Sequence, residues 1–190
     1  MAQPAVMQAP ATMKDLEALP PNVKGEIIHG VLYTQPRPRS FHQDAIGLVE
    51  DELRGPYQRG RRGPGGWWIL PEPGIELPGS PEVSPDVAGW RKVRLPELPR
   101  DSSIRVVPDW VCEVLSPSTR NYDLRVKKPY YASIGVNYLW YVDPEARVLS
   151  VSRLHEGKWL EIGVYGEDSV ARIDPFDLVE INLAEWWGDR

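Results

Sequence analysis

Two carboxylate residues lie inside apolar stretches of the sequence, at positions where strands are expected. Asp86 stands between Pro85 and an apolar run, and Glu113 interrupts the apolar segment 110–115. Because unpaired burial of a carboxylate is costly, each must be paired, bound to a cation or placed at a strand edge. If the two strands are neighbours, Asp86 and Glu113 can converge on one hard cation, since two carboxylates commonly hold Mg²⁺. The structural alternative is a turn aspartate and a salt-bridged strand glutamate.

A segment rich in hydroxyl and basic residues follows the second carboxylate. Residues 116–119 read Ser-Pro-Ser-Thr, and residues 121–128 end in Lys127 and Lys128. A helix that begins just after the Glu113 strand would carry one lysine back over the carboxylates. A lysine beside a cation and a phosphate can orient the attacking water and offset developing charge. The alternative is that these lysines are solvated on the first turn of a surface helix.

Other catalytic chemistries find little support in the sequence. The three histidines, His29, His42 and His155, lack metal-ligand spacing, and neither a glycine-rich phosphate loop nor a G-x-S-x-G elbow occurs. The single cysteine, Cys112, lies in an apolar run, where a small buried residue is expected rather than a nucleophile. A lone cysteine forms no internal disulfide, which suits a reducing cytoplasm.

The elements that must position these residues begin with a hairpin and a helix. Residues 25–33 predict two short strands joined by a tight turn at His29-Gly30. Residues 40–54 predict a helix. Its predicted inner face carries five apolar residues: Phe41, Ala45, Leu48, Val49 and Leu53. Residues 59–66 are basic and rich in glycine, and they predict a loop.

The rest of the chain predicts groups of strands separated by a second helix. Short runs between proline and glycine turns predict a strand meander over residues 67–115. Residues 122–134 predict a helix that Gly135 ends, and residues 137–142 predict a strand buried on both faces. A hairpin with its turn at Glu156-Gly157 and a closing helical turn at 183–187 follow. This order predicts an α+β fold with an α/β-like core and a mixed sheet.

Length and composition describe an ordinary globular chain. Its 190 residues are 42% hydrophobic and 26% charged, which excludes wholesale disorder. We expect a disordered N-terminal arm over residues 1–12, a single domain over residues 13–190, and no segment that spans a bilayer. The formal net charge is −5, so the chain lacks the basic field that duplex-binding proteins usually carry.

A distinctive series of motifs runs through the chain. It comprises Gly25-Glu26-Ile27-Ile28-His29-Gly30, Ser40-Phe41-His42, Pro85-Asp86-Val87, Pro108-Asp109-Trp110-Val111-Cys112-Glu113-Val114-Leu115-Ser116-Pro117-Ser118-Thr119, Asp123 with Lys127 and Tyr131, and Asn137-Tyr138-Leu139-Trp140-Tyr141-Val142-Asp143-Pro144. This series resembles the Uma-two family of restriction endonucleases, within the PD-(D/E)xK nuclease superfamily.

The resemblance implies a restriction-endonuclease-like mixed β-sheet flanked by helices, with a metal site at one end of the sheet. It implies that Asp86 is the motif aspartate and Glu113 the second acidic ligand. The superfamily has a lysine two residues after that acid, where this chain has Leu115, and Lys127 matches a lysine on the following helix. Glu26 matches a further acidic position of the family and is a fourth candidate catalytic residue.

A proline departs from the family pattern beside the candidate lysine. Pro129 falls where the family helix continues, and proline is tolerated only in the first turn of a helix. We therefore expect this helix to begin near Val126, which leaves Lys128 as an alternative to Lys127.

The leading interpretation is a cytoplasmic, Mg²⁺-dependent endonuclease that hydrolyses DNA phosphodiester bonds, with Mn²⁺ as a substitute cation. The resemblance also implies a homodimer, which exposed tryptophans of the adjacent pairs Trp67-Trp68 and Trp186-Trp187 would seal. A local basic rim would be supplied by six arginines: Arg37, Arg39, Arg54, Arg59, Arg61 and Arg62. Two alternatives are a catalytically inactive nuclease-fold module that binds DNA or protein, and a metal-dependent hydrolase of a small phosphoester.

Overall fold

The computed structural model of the chain describes residues 9–36, 40–100 and 103–187. Its helical segments are α1 (Met13–Glu17), α2 (Ser40–Leu53), α3 (Arg120–Tyr122), α4 (Lys128–Ile134) and α5 (Ala184–Trp187), with π-helical turns at Arg54–Gln58 and Asp123–Lys127. Within the described ranges, no helix is both long enough and apolar enough to cross a membrane. Most of the predicted N-terminal arm, together with Arg37 and Arg39, lies outside the described residues.

The strands form two sheets and a separate hairpin. In chain order they are β1 (Val23–Ile28), β2 (Val31–Pro36), β3 (Trp67–Pro71), β4 (Ile75–Leu77), β5 (Ser80–Val83), β6 (Val87–Arg91), β7 (Trp110–Val114), β8 (Tyr138–Asp143), β9 (Val148–His155), β10 (Lys158–Tyr165), β11 (Val170–Ile173) and β12 (Phe176–Asn182). The large sheet has the order β10-β9-β8-β7-β6-β3, the smaller one the order β2-β1-β5-β4, and β11 pairs with β12.

The large sheet is mixed, as the order of predicted elements indicated. Strand β7 runs parallel to β8 and antiparallel to β6, while β8 and β9 are antiparallel. Parallel neighbours cannot be joined by a tight turn and need a crossover connection. Here the crossover is the helical segment formed by α3, the second π-helical turn and α4. The α+β prediction is therefore confirmed.

The hairpin of β1 and β2 turns at the predicted residues. Ile28 pairs with Val31, so His29 and Gly30 form the two-residue turn. Their φ angles are 51° and 75°, and this left-handed backbone at both central positions matches the twist of the flanking strands. The turn sets the register of β1, and with it the position of Glu26.

The buried face of α2 differs from the predicted one. Ala45, Ile46, Val49 and Leu53 are buried, whereas Phe41 is 45% exposed. The four buried residues are spaced at i, i+1, i+4 and i+8, so they lie on one side of the helix and this side faces the core. Position 42, four residues before Ile46, therefore lies on the inner face, where the sequence interpretation had placed Phe41.

The crossover helix also begins earlier than Pro129 indicated. Helical structure starts at Arg120, and Pro129 follows the π-helical turn Asp123–Lys127. The amide of Lys128 donates to the carbonyl of Asp123 across this wider turn, so Pro129 opens α4 in a position where proline is tolerated. The helix ends as predicted at Gly135, whose φ is 82° and which forms a Schellman cap with Val136.

Strand β7 is buried on both faces, and its side chains alternate between two hydrophobic clusters. Trp110, Cys112 and Val114 belong to the cluster that contains the buried residues of α2 and α5. Val111 and Leu115 belong to the other cluster, which contains the tyrosines of α4. Because strand side chains alternate with a period of two, Glu113 faces this second cluster and the crossover helix.

The tryptophan pairs do not match the expectation of an exposed aromatic surface. Trp67 is buried, and Trp68 is partly buried with its Nε1 donating to the carbonyl of Leu95 at 2.9 Å. Trp186 and Trp187 are both buried. They lie in helix α5, which packs on the core, so the alternation expected of a strand was wrong there. The homodimer stays a prediction without this support.

Phe176 lies at the centre of an aromatic cluster that joins the β11–β12 hairpin to the large sheet. Its ring lies 4.8–5.5 Å, between centroids, from four others: Tyr57, Trp67, Trp110 and Trp140. The hydroxyl of Tyr57 donates to the carbonyl of Phe176 and accepts the amides of Leu178 and Val179. Phe176 thereby fixes the hairpin against the sheet.

Replacing Phe176 by alanine tests this arrangement. Phe176→Ala removes a fully buried ring, and we expect the free energy of unfolding to fall by about 3–5 kcal/mol. The matched control is Leu178→Ala two residues along, where the side chain is 64% exposed and the expected change is within about 0.5 kcal/mol. Equal effects of the two substitutions in urea unfolding would contradict the assignment of Phe176 to the core.

Candidate active site

Side chains from both sheets and the crossover helix line one cavity of about 330 Å³. Seven of its lining residues have ionisable side chains: Lys24, Glu26, His42, Asp86, Glu113, Asp123 and Lys127. The cavity therefore collects all four predicted catalytic residues, which lie up to 101 positions apart in the chain (127 − 26). Three of the four, Glu26, Glu113 and Lys127, are no more than 3% exposed, so the charges lie at the bottom of the cavity.

Asp86 and Glu113 are neighbours because β6 and β7 pair. Val87 lies opposite Cys112 in the antiparallel register, which places the residues just before β6 beside Glu113. The amide of Asp86 donates to Oε2 of Glu113 at 3.3 Å, and the amide of Val114 donates to Oδ2 of Asp86 at 2.8 Å. The two strands thus bring the two carboxylates together, as the sequence interpretation required.

Lys127 supplies the positive charge of the site. Its Nζ lies 2.9 Å from Oε1 of Glu113 and 3.5 Å from Oε2 of Glu26, and it donates to the carbonyl of Ser84 at 3.3 Å. Lys128 does not line the cavity, and its Nζ lies 5.7 Å from the ring centroid of Tyr141. Of the two candidate lysines, Lys127 is therefore the one that lines the cavity.

Glu26 is anchored from two sides at the edge of the same cluster. Its Oε1 accepts the amide of Ser84 at 2.7 Å, and its Oε2 accepts the hydroxyl of Tyr122 at 3.1 Å. Strand β1 delivers Glu26 from the smaller sheet, while Tyr122 comes from the start of the crossover helix. Glu26 therefore ties three parts of the fold to Lys127.

Burial and pairing shift the pKa values of the clustered groups in different directions. Burial lowers the pKa of Lys127, but Glu113, Glu26 and other carboxylates outweigh burial and raise it well above the usual value, so Lys127 is a cation. Burial raises the pKa of Glu113 well above its usual value, and Lys127 offsets this only in part. For Asp86, burial is outweighed by the contact with His42 and by Lys127, and its pKa is lowered.

Comparison with known proteins identifies a family and a fold. A family model, Uma2, described as "Putative restriction endonuclease", matches residues 11–184. The chain belongs to the Uma2 family. A crystal structure of a "putative nuclease belonging to DUF820" from Anabaena variabilis ATCC 29413 matches with a TM-score of 0.71 and 18% sequence identity, over 94% of this chain and 98% of that one. A comparison with curated proteins gives no match. The fold is restriction-endonuclease-like, as the motifs implied.

Three residues of this Uma2 protein join the site although the sequence interpretation gave them no role there. His42 Nε2 lies 3.1 Å from Oδ1 of Asp86. The hydroxyl of Tyr131 donates to Oε1 of Glu113 at 2.5 Å. Asp123 lines the cavity, and burial raises its pKa to about 6. Helical spacing could have predicted two of these residues, because side chains four positions apart lie on the same face of a helix. His42 lies four residues before Ile46, and Tyr131 lies four residues after Lys127.

The donor atoms suit a divalent cation. Oε1 of Glu113 is committed to Lys127 and Tyr131, and Oδ2 of Asp86 is committed to the amide of Val114. Oε2 of Glu113 accepts only the longer bond from the amide of Asp86, at 3.3 Å, and Oδ1 of Asp86 faces His42 at 3.1 Å. These are the two oxygens with most capacity left for a cation, and hard carboxylate oxygens of this kind are the ligands that Mg²⁺ and Mn²⁺ take. Within the described residues, no group of three or more His, Cys, Asp or Glu side chains is arranged to hold a metal ion, so a cation here would also need water or substrate oxygens.

Of the predicted basic rim, the four arginines that the structure describes do not line the cavity of the Uma2 protein. Arg54 pairs with Glu50 at 3.0 Å, and neither Arg54 nor Arg59, Arg61 and Arg62 is among the lining residues. The four follow the C-terminal end of α2, whereas His42 lies at its N-terminal end, and a helix of 14 residues separates its ends by roughly 20 Å. Among the residues with described positions, the lysines that line the cavity are Lys24 and Lys127.

Removing the charge of Lys127 tests the ionic cluster. We expect Lys127→Met to lower the free energy of unfolding by about 3–5 kcal/mol near pH 8, because Glu113 and Glu26 lose their cation while buried. Without Lys127 the folded-state pKa of Glu113, already raised by burial, rises further above the unfolded value of about 4.3. Stability of the variant therefore falls as pH rises above that value, and the deficit should be smaller at pH 5 than at pH 8.

Lys128→Met is the matched control for that measurement. It removes the same charge one residue along, outside the cavity, and its effect should be small at both pH values. A deficit of Lys127→Met that does not change with pH, measured by urea unfolding, would contradict the proposed pairing.

Proposed function

We propose that this protein is a divalent-cation-dependent endonuclease that hydrolyses DNA phosphodiester bonds, using Asp86, Glu113 and Lys127. The observation that carries the proposal is the contact of a buried lysine with one of two adjacent carboxylates at the bottom of a cavity. Membership of a family described as restriction endonucleases supports the choice of a nucleic acid phosphodiester. Mg²⁺ is the proposed physiological cation and Mn²⁺ a substitute. A homodimer and a cytoplasmic location belong to the same proposal.

The residues divide the chemistry among them. Asp86 and Glu113 would hold the cation through Oδ1 and Oε2, the two carboxylate oxygens with the weakest competing contacts. A divalent cation bound there polarises the phosphate and lowers the pKa of a water molecule. Lys127, held between Glu113 and Glu26, would donate to the attacking water or to a phosphate oxygen and offset negative charge in the transition state. Glu26 and Tyr131 would keep Lys127 and Glu113 in place.

A second candidate function has a specific observation in its favour. The cavity is about 330 Å³, and its charged groups are almost completely buried, which suits a narrow substrate better than the side of a duplex. The net charge of −5 also disfavours long phosphate backbones. A metal-dependent hydrolase of a small phosphoester would use the same residues, so the substrate must decide between the two functions.

The test compares substrates and variants in one experiment. Purified protein is incubated with supercoiled plasmid, with the same plasmid after heat denaturation, and with bis(p-nitrophenyl) phosphate, each with Mg²⁺, Mn²⁺ or a chelator. We expect cation-dependent DNA cleavage that Asp86→Asn, Glu113→Gln and Lys127→Met each reduce by about 100-fold or more. Lys128→Met, folded and purified in parallel, should cut at the rate of the unsubstituted protein.

Each other outcome selects a different function. Hydrolysis of bis(p-nitrophenyl) phosphate without DNA cleavage favours the small-phosphoester hydrolase. Binding of DNA without hydrolysis of any substrate favours the inactive module. DNA cleavage that the Asp86 and Glu113 substitutions leave unchanged comes from a contaminant and would refute the assignment of the site.

A further inference from the structure

His42 is held beside Asp86 by the helix that carries it. It is the third residue of α2, on the same side as the buried Ile46 and Val49, and its side chain is 11% exposed. Because α2 packs on the core through these residues, the imidazole is a fixed part of the cavity wall rather than a mobile surface group. Its Nε2 is buried and, among the described residues, has no partner in hydrogen-bonding geometry, Asp86 included.

The position of Nε2 matches that of a neighbouring ligand on one cation. Nε2 lies 3.1 Å from Oδ1 of Asp86. Two donors on adjacent corners of an octahedron with bonds of about 2.1 Å lie roughly 3.0 Å apart. Oδ1 is also the oxygen of Asp86 that the amide of Val114 leaves available. A cation bound to Oδ1 would therefore meet Nε2 within bonding distance.

We propose that His42 is a direct cation ligand through Nε2, and that the site consequently favours Mn²⁺ and Co²⁺ over Mg²⁺. This inference rests on the cation dependence in the proposed function and deepens it. Imidazole is a softer donor than a carboxylate, and affinity for such mixed sites rises along the first transition series, whereas Mg²⁺ prefers oxygen ligands and water. Asp86, Glu113 and water supply the oxygen ligands. Cation binding would draw His42, Asp86 and Glu113 together, because without it the described residues contain no group of three such side chains arranged to hold a metal ion.

A purely positioning role for His42 fits the contacts less well. Such a histidine would orient Asp86 by donating a hydrogen bond, but Nε2, although 3.1 Å from Oδ1 of Asp86, is not aligned to donate one. Asp86 is already oriented by the amide of Val114, at 2.8 Å. The two roles also differ in their consequences, because loss of a positioning group weakens every cation alike, whereas loss of a ligand changes the selectivity among cations.

The test measures cation binding by the full chain in the absence of DNA. Chelator-treated protein is titrated with Co²⁺, followed by its visible absorption, and with Mg²⁺ and Mn²⁺ by calorimetry. We expect His42→Ala to weaken Co²⁺ and Mn²⁺ binding by about 10- to 100-fold and Mg²⁺ binding by less than about 3-fold. His42→Gln offers a hard oxygen in place of nitrogen, so it should keep Mg²⁺ binding and lose the preference for Co²⁺.

His155→Ala is the matched control, since His155 is exposed at the end of β9 and should leave every affinity unchanged. Unaltered Co²⁺ affinity in His42→Ala, or equal losses for Co²⁺ and Mg²⁺, would overturn the assignment. If His42→Ala does not fold, the His42→Gln selectivity decides the question. If the protein cuts no DNA but binds cations in a manner that depends on His42, only the endonuclease proposal is refuted. If it cuts DNA and His42→Ala leaves the Co²⁺ affinity unchanged, only the assignment of His42 as a ligand is refuted.

Discussion

The burial of one lysine among carboxylates is the interaction on which the rest of the site depends. Lys127 contacts Glu113 and Glu26, which belong to different sheets, and each of these charges would be costly to bury alone. The cluster is therefore stable only when the large sheet, the smaller sheet and the crossover helix are assembled together. The same assembly places the carboxylates of Asp86 and Glu113 side by side. Each has one oxygen with capacity for a further ligand, which is what cation binding needs.

The π-helical turn reconciles this requirement with the local sequence. A regular helix through Pro129 would lose a backbone hydrogen bond and meet a steric clash. The wider turn Asp123–Lys127 precedes the proline and directs Lys127 into the cavity, while Lys128 lies near the ring of Tyr141. Pro129, which would be unfavourable in the middle of a helix, is thus accommodated just after the turn that directs the charged side chain of Lys127 inward.

The sequence predicted most of the elements, because hydrophobic periodicity and turn residues are local signals. It also indicated that Asp86 and Glu113 could meet if their strands were neighbours, since acidic residues in apolar strands need partners, but it could not show that the strands pair. It could not predict the phase of α2, because Phe41 and His42 are adjacent and only the packing of Ile46 decides which faces inward. Burial of both tryptophans in α5 likewise depends on a docking that no local pattern records. The start of the crossover helix was misjudged since π-helical turns have no simple sequence signature.

The crossover between β7 and β8 has a consequence for the order in which the protein is made. Strands β6 and β7 leave the ribosome before the helix, so Asp86 and Glu113 first meet without their countercharge, which lies 14 positions after Glu113 (127 − 113). A nascent sheet that ends at β7 is therefore disfavoured by its own carboxylates. The segment that makes parallel pairing possible also neutralises them, so completion of the sheet and assembly of the charged site become a single, late event in biosynthesis.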